Sequence, residues 1–387
     1  MLSYARILVL CFALLGVVFQ DYAVAAELPT GSFLTQPVND TTDLCDLIAS
    51  QEVVSQRYSA HFKIDAPALS DYFSKNLRTA SLKKSIKLRM YTIAKDGRIQ
   101  MKKKRLPAGR KVFVDLSGRL ILDGESGCPL MKKPLPTPAT NVNYTRSKRY
   151  GSDRIEFTVA GHTGFIILPT VVEGSKRIPW VWYAPTFIAA GYPNESNGWI
   201  CRKLLDQGFA ICGVDVGESY GNPAGRAAFT EFYKFVIENH NLSTKACLWP
   251  QSRGGLMLYN WAAEHPESVQ CIGGTYTVCD MRSYPGLQNA CGAYGMSEAE
   301  LQAHLKEHNP IDRLAPIAAH KIPIFHIHGD SDGVVPLEVN TAELASRYRA
   351  LGGNIEVVIV KGKGHAEIAE FFESQKMVDF FIANGKK

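Results

Sequence analysis

The chain has 387 residues, 46% hydrophobic and 21% charged, with a formal net charge of +6. These values describe a globular protein with one large core and room for a smaller unit, and they exclude a chain dominated by disorder.

Residues 1–26 hold one arginine (Arg6), an apolar run over 7–19, and the small residues Ala23, Val24, Ala25 and Ala26. A cationic start, a short apolar stretch and a small-residue site form the pattern of a cleaved export signal. The run falls short of the roughly 20 residues needed to cross a bilayer. We therefore expect a secreted or periplasmic protein with no transmembrane segment after signal removal. Cleavage would remove Cys11 and leave Cys45, Cys128, Cys201, Cys212, Cys247, Cys271, Cys279 and Cys291. An even number in an oxidising compartment suits disulfides, and Cys45 with Cys128 and Cys279 with Cys291 are the expected pairs. Cys212, Cys247 and Cys271 lie in apolar strand-like runs, where buried free thiols are the alternative. No CxxC pair or His/Cys cluster has metal-ligand spacing, so neither metal nor cofactor is expected.

Residues 42–131 read as a small basic α+β domain. Segments 42–49 and 68–77 look helical and 53–64 strand-like. Two hairpin signals follow, each with glycine at the turn: 87–94 with 99–104 around Lys95-Asp96-Gly97-Arg98, and 111–116 with 120–122 around Ser117-Gly118-Arg119. Between His61 and Lys111, fifteen Lys or Arg face three Asp, an excess of twelve in a chain whose total is +6. The run Lys102-Lys103-Lys104-Arg105 is open to two readings. Lysines commonly guard an exposed sheet edge, and concentrated cations also dock an anionic polymer or surface. No aromatic RNA-binding signature accompanies them, so no dedicated nucleic-acid binding is expected. Residues 132–140, with Pro134, Pro136 and Pro138, read as an extended linker.

Over residues 150–387, strand-like and helix-like segments alternate. The strands are expected at 154–159, 164–168, 178–183, 209–214, 246–249, 269–273, 322–327 and 355–360. The helices are expected at 197–207, 225–238, 254–265, 337–351 and 366–382. This alternation marks an α/β protein with a mostly parallel, doubly wound sheet. Residues 279–315 interrupt it, and a helix-like piece at 297–308 is the expected cap or pocket wall.

The run Cys247-Leu248-Trp249-Pro250-Gln251-Ser252-Arg253-Gly254-Gly255 puts a serine between a strand and a helix. A tight turn there lifts the hydroxyl clear of the sheet, which makes Ser252 the candidate nucleophile. A serine needs a base and a carboxylate to orient that base. Ile327-His328-Gly329-Asp330-Ser331-Asp332-Gly333-Val334-Val335-Pro336 supplies Asp332 just past a strand, with Asp330 bracing the turn. Lys361-Gly362-Lys363-Gly364-His365 supplies His365 in a later post-strand loop. Asp280 is the alternative acid, and a helix N-cap is the plain alternative for Ser252. His265 reads as a helix-end residue, His326 and His328 as strand residues near the site, and Trp249 and Trp261 as core or pocket wall.

The order Ser252, Asp332, His365 and the Gly-Asp-x-Asp-x-x-Val-Pro segment resemble the alpha/beta-hydrolase superfamily, in its prolyl-oligopeptidase-like and secreted-esterase branches. Phe209 to Asp215 with Gly217-Glu218-Ser219-Tyr220-Gly221, and Ser252-Arg253-Gly254-Gly255 with Tyr259-Asn260-Trp261-Ala262, resemble exported bacterial hydrolases of that kind. The resemblance covers about 154–383 and departs at Pro250, where these families usually carry glycine. It implies an oxyanion hole from the amides of Arg253 and Thr186, with Phe187 as the alternative to Thr186. The implied activity is hydrolysis of carboxylic esters, on small molecules or linked to polysaccharide. Rivals are a prolyl-oligopeptidase-like peptidase, disfavoured by the short N-terminal domain and the lack of a paired Glu motif for a peptide amine, and a non-catalytic surface or polyanion-binding protein on a hydrolase scaffold.

Overall fold

The computed structural model describes residues 28–132, 135, 142–174 and 176–386. The expected export signal, and nearly all of the expected linker, lie outside these residues.

Three helices come first: α1 (Thr41–Ser50), α2 (Glu52–Phe62) and α3 (Ala66–Asn76). Asp40 caps α1 by accepting from the amide of Asp43, and Asp65 caps α3 by accepting from Ala68. The strand expected over 53–64 is instead α2. Val54, Tyr58, His61 and Phe62 are its buried residues, a spacing of four, three and one that lines one helical face. Five strands follow: β1 (Leu77–Leu82), β2 (Ile86–Ile93), β3 (Ile99–Leu106), β4 (Lys111–Asp115) and β5 (Leu120–Asp123). Strand β1 has no apolar alternation because Arg78 occupies a buried position, its guanidinium donating to the carbonyl of Pro169 at 2.8 Å. Burial lowers the Arg78 pKa to about 10. Phe33, Tyr58, Phe62, Phe73 and Phe113 centre the core beneath these elements.

The second unit adds β6 (Thr145–Arg149), β7 (Ser152–Val159), β8 (His162–Ile167), β9 (Val171–Val172), β10 (Trp180–Ala184), β11 (Ala210–Asp215), β12 (Ala246–Pro250), β13 (Val269–Thr275), β14 (Ile324–Gly329) and β15 (Ile355–Val360). Strand β9 leaves the main sheet and completes the small one, in the order β5-β4-β1-β9. The main sheet has nine strands in the order β15-β14-β13-β12-β10-β11-β8-β7-β6. It is parallel from β15 through β11 and antiparallel from β11 to β6.

Helices cover both faces of this sheet. On one lie α5 (Pro223–Asn239), α6 (Gly254–Glu264), α10 (Ala315–Ala319) and α11 (Glu343–Ala350). On the other lie α4 (Gly198–Asp206), α12 (Ala369–Phe372) and α13 (Gln375–Gly385). Strand β10 is buried throughout, and its side chains alternate between the two cores: Trp180 and Trp182 on the first face, Val181 and Tyr183 on the second. Trp182 meets Trp261 of α6 at 4.8 Å between ring centroids, and truncating either would cost about 3–5 kcal/mol. The single helix expected over 366–382 is two, because Ser374 caps α13 through the Met377 amide.

Between β13 and α10 lie α7 (Leu287–Tyr294), α8 (Glu298–Ala303) and α9 (Leu305–His308). Leu287, Leu301 and Leu305 share a small core with Leu256, Val278 and Val335, which seats this segment over the start of α6. The expected disulfides are not formed. No disulfide joins the eight cysteines among the described residues; Cys45 donates to the Ser70 carbonyl and Cys128 to that of Gly31. Likewise Cys279 donates to Thr277 and Cys291 to Gln288, so each of these four thiols bonds a backbone carbonyl instead of another sulfur. No helix among the described residues is long and apolar enough to cross a membrane.

Candidate active site

Ser252 follows β12, Asp332 follows β14 and His365 follows β15. All three therefore leave the sheet at its carboxyl edge, where open α/β sheets place ligands. Ser252 has a left-handed backbone, φ 49°, in the turn between β12 and α6. Its amide donates to the Thr275 carbonyl at 3.0 Å, and its carbonyl accepts from Val278 at 2.9 Å and Gly255 at 3.0 Å. Those bonds hold a conformation that costs an L-residue on the order of 1–3 kcal/mol.

Two glycines make the turn possible. A Cβ at Gly254 would collide with the Ala184 carbonyl oxygen, and one at Gly255 with that of Val278. Pro250 is tolerated because it ends the strand: Gln251, the next residue, donates to Ala184 at 2.8 Å.

Ser252 Oγ lies 3.0 Å from His365 Nε2, and His365 Nδ1 lies 2.8 Å from Asp332 Oδ2. Asp332 Oδ1 accepts from the amides of Val334 at 2.9 Å and Val335 at 2.8 Å. Burial alone would raise the Asp332 pKa, but hydrogen bonds from His328, His365 and the Val335 amide outweigh it and hold the carboxyl well below its usual range. The Tyr276 ring packs on the imidazole, with centroids 4.2 Å apart.

Behind Asp332 runs a fully buried chain of polar side chains. His328 Nε2 lies 2.8 Å from the Val335 carbonyl and 3.5 Å from Asp332 Oδ2, so this nitrogen carries the proton. His328 Nδ1 lies 2.8 Å from Thr341 Oγ1. The same oxygen lies 2.9 Å from His326 Nδ1, and His326 Nε2 lies 2.7 Å from the Tyr259 hydroxyl. These contacts link Tyr259 to the Asp332 loop through two buried rings. Burial lowers the His326 pKa to about 3, which keeps that ring neutral.

Arg253 is the N-cap of α6, so its amide is among those that a helix leaves without an internal acceptor. Thr186 is buried, its hydroxyl donating to Tyr183 at 3.3 Å. Pro185 and Phe187, its neighbours, line a cavity of about 220 Å³ at Ser252. The Arg253 guanidinium is paired with Glu218 and lies over Phe187 and Tyr284, 5.8 and 5.7 Å from the ring centroids.

Asp280 is held elsewhere, in an ion pair with Arg282 at 2.7 Å and accepting from Asn309 at 3.2 Å. Asp330 accepts from the Gly362 amide at 2.6 Å, tying its turn to the His365 loop. His265 lies beyond the end of α6 with Nε2 3.1 Å from Thr230 Oγ1. Trp249 and Trp261 are core residues on opposite faces of the sheet. Among the described residues, no group of three His, Cys, Asp or Glu side chains is placed to hold a metal ion.

Sequence reasoning missed two polar residues of the site. Gln251 accepts from the Tyr183 hydroxyl at 2.9 Å and from Asn197 at 3.0 Å, and donates to the Tyr276 hydroxyl at 3.2 Å, forming a buried knot beneath Ser252. Glu367 lines the cavity and accepts from Tyr192, Asn194 and Ser196. Each is a neighbour of a named residue, and that adjacency was the one available signal.

Residues 228–386, which contain Ser252, Asp332 and His365, match the prolyl oligopeptidase family. No curated protein sequence matches the chain. Among solved structures, an S-formylglutathione hydrolase from Agrobacterium tumefaciens is similar at 12% identity and a TM-score of 0.48, over 64% of this chain and 99% of its own. A truncated carbohydrate esterase from gut microbiota is similar at 19% identity and a TM-score of 0.47, over 65% and 100%. A Pyrococcus horikoshii acylaminoacyl peptidase is similar at 15% identity and a TM-score of 0.48, over 78% of this chain but only 55% of that longer one. The mostly parallel nine-stranded sheet has the alpha/beta-hydrolase architecture, and within it residues 228–386 match the prolyl oligopeptidase family.

Proposed function

We propose that the protein is an exported esterase in which Ser252, His365 and Asp332 act as a catalytic triad. The observation that carries this reading is the pair of contacts at the imidazole, 3.0 Å to Ser252 Oγ and 2.8 Å to Asp332 Oδ2. Ser252 Oγ attacks the ester carbonyl carbon while His365 Nε2 takes the hydroxyl proton. The Arg253 and Thr186 amides stabilise the oxyanion. The carbon–oxygen bond to the alcohol then breaks as the imidazolium returns its proton to the leaving oxygen, and water repeats the sequence to release the acid. Asp332 stays ionised and orients the ring.

Ester cleavage is preferred over peptide cleavage on one structural ground. The cavity at Ser252 is lined by residues from Pro185 onward and by none from the small N-terminal unit, so that unit does not enclose the serine. A peptidase reading rests on the family match alone.

The N-terminal unit contributes docking to an anionic polymer or surface. Across β2 and β3, Lys87 stands opposite Arg105 and Arg89 opposite Lys103. Facing like charges destabilise a sheet. None of these four is in an ion pair among the described residues, so an external polyanion is the partner that would relieve them.

A fluorophosphonate probe should label folded protein at Ser252 and leave Ser252→Ala unlabelled. Short acyl esters should turn over faster than dipeptide amides. Folded protein that resists the probe would instead make the basic unit the functional part.

A further inference from the structure

The Glu367 carboxylate stands at the rim of the reactive cavity, two residues beyond His365. It is exposed, yet it does not float free. Oε1 accepts from the Tyr192 hydroxyl at 2.8 Å, and Oε2 accepts from Asn194 Nδ2 at 2.8 Å and Ser196 Oγ at 3.0 Å. These donors come from the segment ahead of α4, so two separate parts of the chain converge to aim one anion.

Three neutral donors orient a carboxylate without cancelling its charge. No ion pair involves Glu367 among the described residues. Cations nearby are committed elsewhere: Arg253 to Glu218, Lys363 to Glu370 at 2.8 Å, and Arg149 to Glu195 at 2.9 Å. The rim therefore carries one uncompensated negative charge, with a lone pair on Oε1 still available. Beside it, Tyr192 and Tyr276 line the same cavity. A carboxylate beside an aromatic ring, here that of Tyr192, is the combination that recognises an ammonium ion.

Position says which half of the substrate would carry that ion. His365 hands its proton to the leaving oxygen, so the alcohol departs along the His365 side of the cavity. Glu367 follows His365 in the same loop and lines the same cavity, which puts it on that side. We infer that Glu367, with Tyr192, forms a subsite for a cationic ammonium group on the alcohol portion of the ester. This rests on the esterase reading above and narrows its substrate class.

The experiment compares two acetate esters of matched shape: the choline ester, and its neutral isostere in which carbon replaces the quaternary nitrogen. At low salt the wild-type kcat/KM should favour the charged ester by about tenfold, the scale of one exposed charge contact plus cation–π attraction. In Glu367→Gln the amide keeps the shape and can still accept from Tyr192, and the ratio should fall close to one. A wild-type ratio near one, or a preference that survives in Glu367→Gln, overturns the subsite. Equal proportional losses on both esters would also overturn it, marking Glu367 as a brace for the His365 loop.

A second readout does not need ester turnover. Tetramethylammonium should slow fluorophosphonate labelling of Ser252 in the wild type and do so several-fold less in Glu367→Gln. Protection without hydrolysis of any ester would keep the subsite and sink the esterase reading. Hydrolysis without protection would do the reverse.

Discussion

The two loops that flank the imidazole are built in opposite ways. Asp332 is 5% exposed, held by two backbone amides and backed by the buried line of His328, Thr341, His326 and Tyr259. His365 sits on a surface loop, joined to the body by the Gly362 amide bond to the Asp330 carboxylate, the Ser331–Lys363 backbone bond, the exposed Lys363–Glu370 pair and the Glu367 contacts. Asp332 is set by the protein interior, and His365 by the Tyr276 ring and by contacts at the surface. Damage to the acid loop should therefore register in both rate and stability, whereas change on the base side should register in substrate preference.

The largest test of that contrast is Asp332→Asn. The amide can no longer hold the imidazole in the tautomer that accepts from Ser252, and kcat should fall by roughly 10⁴-fold. Asp280→Asn, which alters the alternative acid, should leave kcat far nearer the wild-type value. If instead Asp280 proves the sensitive site, the interior line described here does not serve the reaction.

Next comes Thr341→Val, which keeps the shape and removes the hydroxyl shared by His326 and His328. Two buried ring nitrogens lose their partner at once, which should cost on the order of 3 kcal/mol in denaturant unfolding. The kcat loss should be much smaller than for Asp332→Asn. A stability unchanged within error would show that the line is not needed to hold the acid loop.

The smallest effect concerns acid. His326 is held neutral by burial with its pKa lowered to about 3, while an unfolded histidine titrates near 6.5. Protons therefore bind the unfolded chain preferentially as pH falls below about 6.5, and stability drops progressively until the folded pKa is reached. The slope from this one ring is about 1.4 kcal/mol per pH unit. Urea unfolding at pH 7 and pH 5.5 should show at least that order of loss. A flat profile would contradict the neutral, interior placement of His326. Asp332 adds no pH dependence in this window: its lowered pKa stabilises the fold fully above the unfolded carboxylate range, and that stability is lost only as pH falls below it.

Legibility differed between the two units for a physical reason. Strands β10 to β15 are short apolar runs bounded by turn residues, and those boundaries survive in any arrangement of the fold. Strand β6, Thr-Arg-Ser-Lys-Arg, is an edge strand with almost every residue exposed, so no apolar alternation marks it. The α2 segment begins with Val53 and Val54, which suggested a strand; its helical identity comes from Tyr58 and Phe62 finding the Phe33 and Phe73 rings. The cysteine pairing went wrong for a related reason, since an even count says nothing about which sulfurs approach.

What the order of residues determined alone is the sheet class and the three positions Ser252, Asp332 and His365, each at the end of a strand. Local patterns suffice for that, because a strand, a turn and a helix are encoded within a dozen residues. Only the tertiary structure decided what those positions meet. The donors of Asn194 and Ser196 reach Glu367 across more than 170 residues, and Thr341 joins two histidines of β14 from the far side of the Asp332 loop. Such contacts depend on how the sheet twists and which strand ends it brings together, and no local window of sequence contains that information.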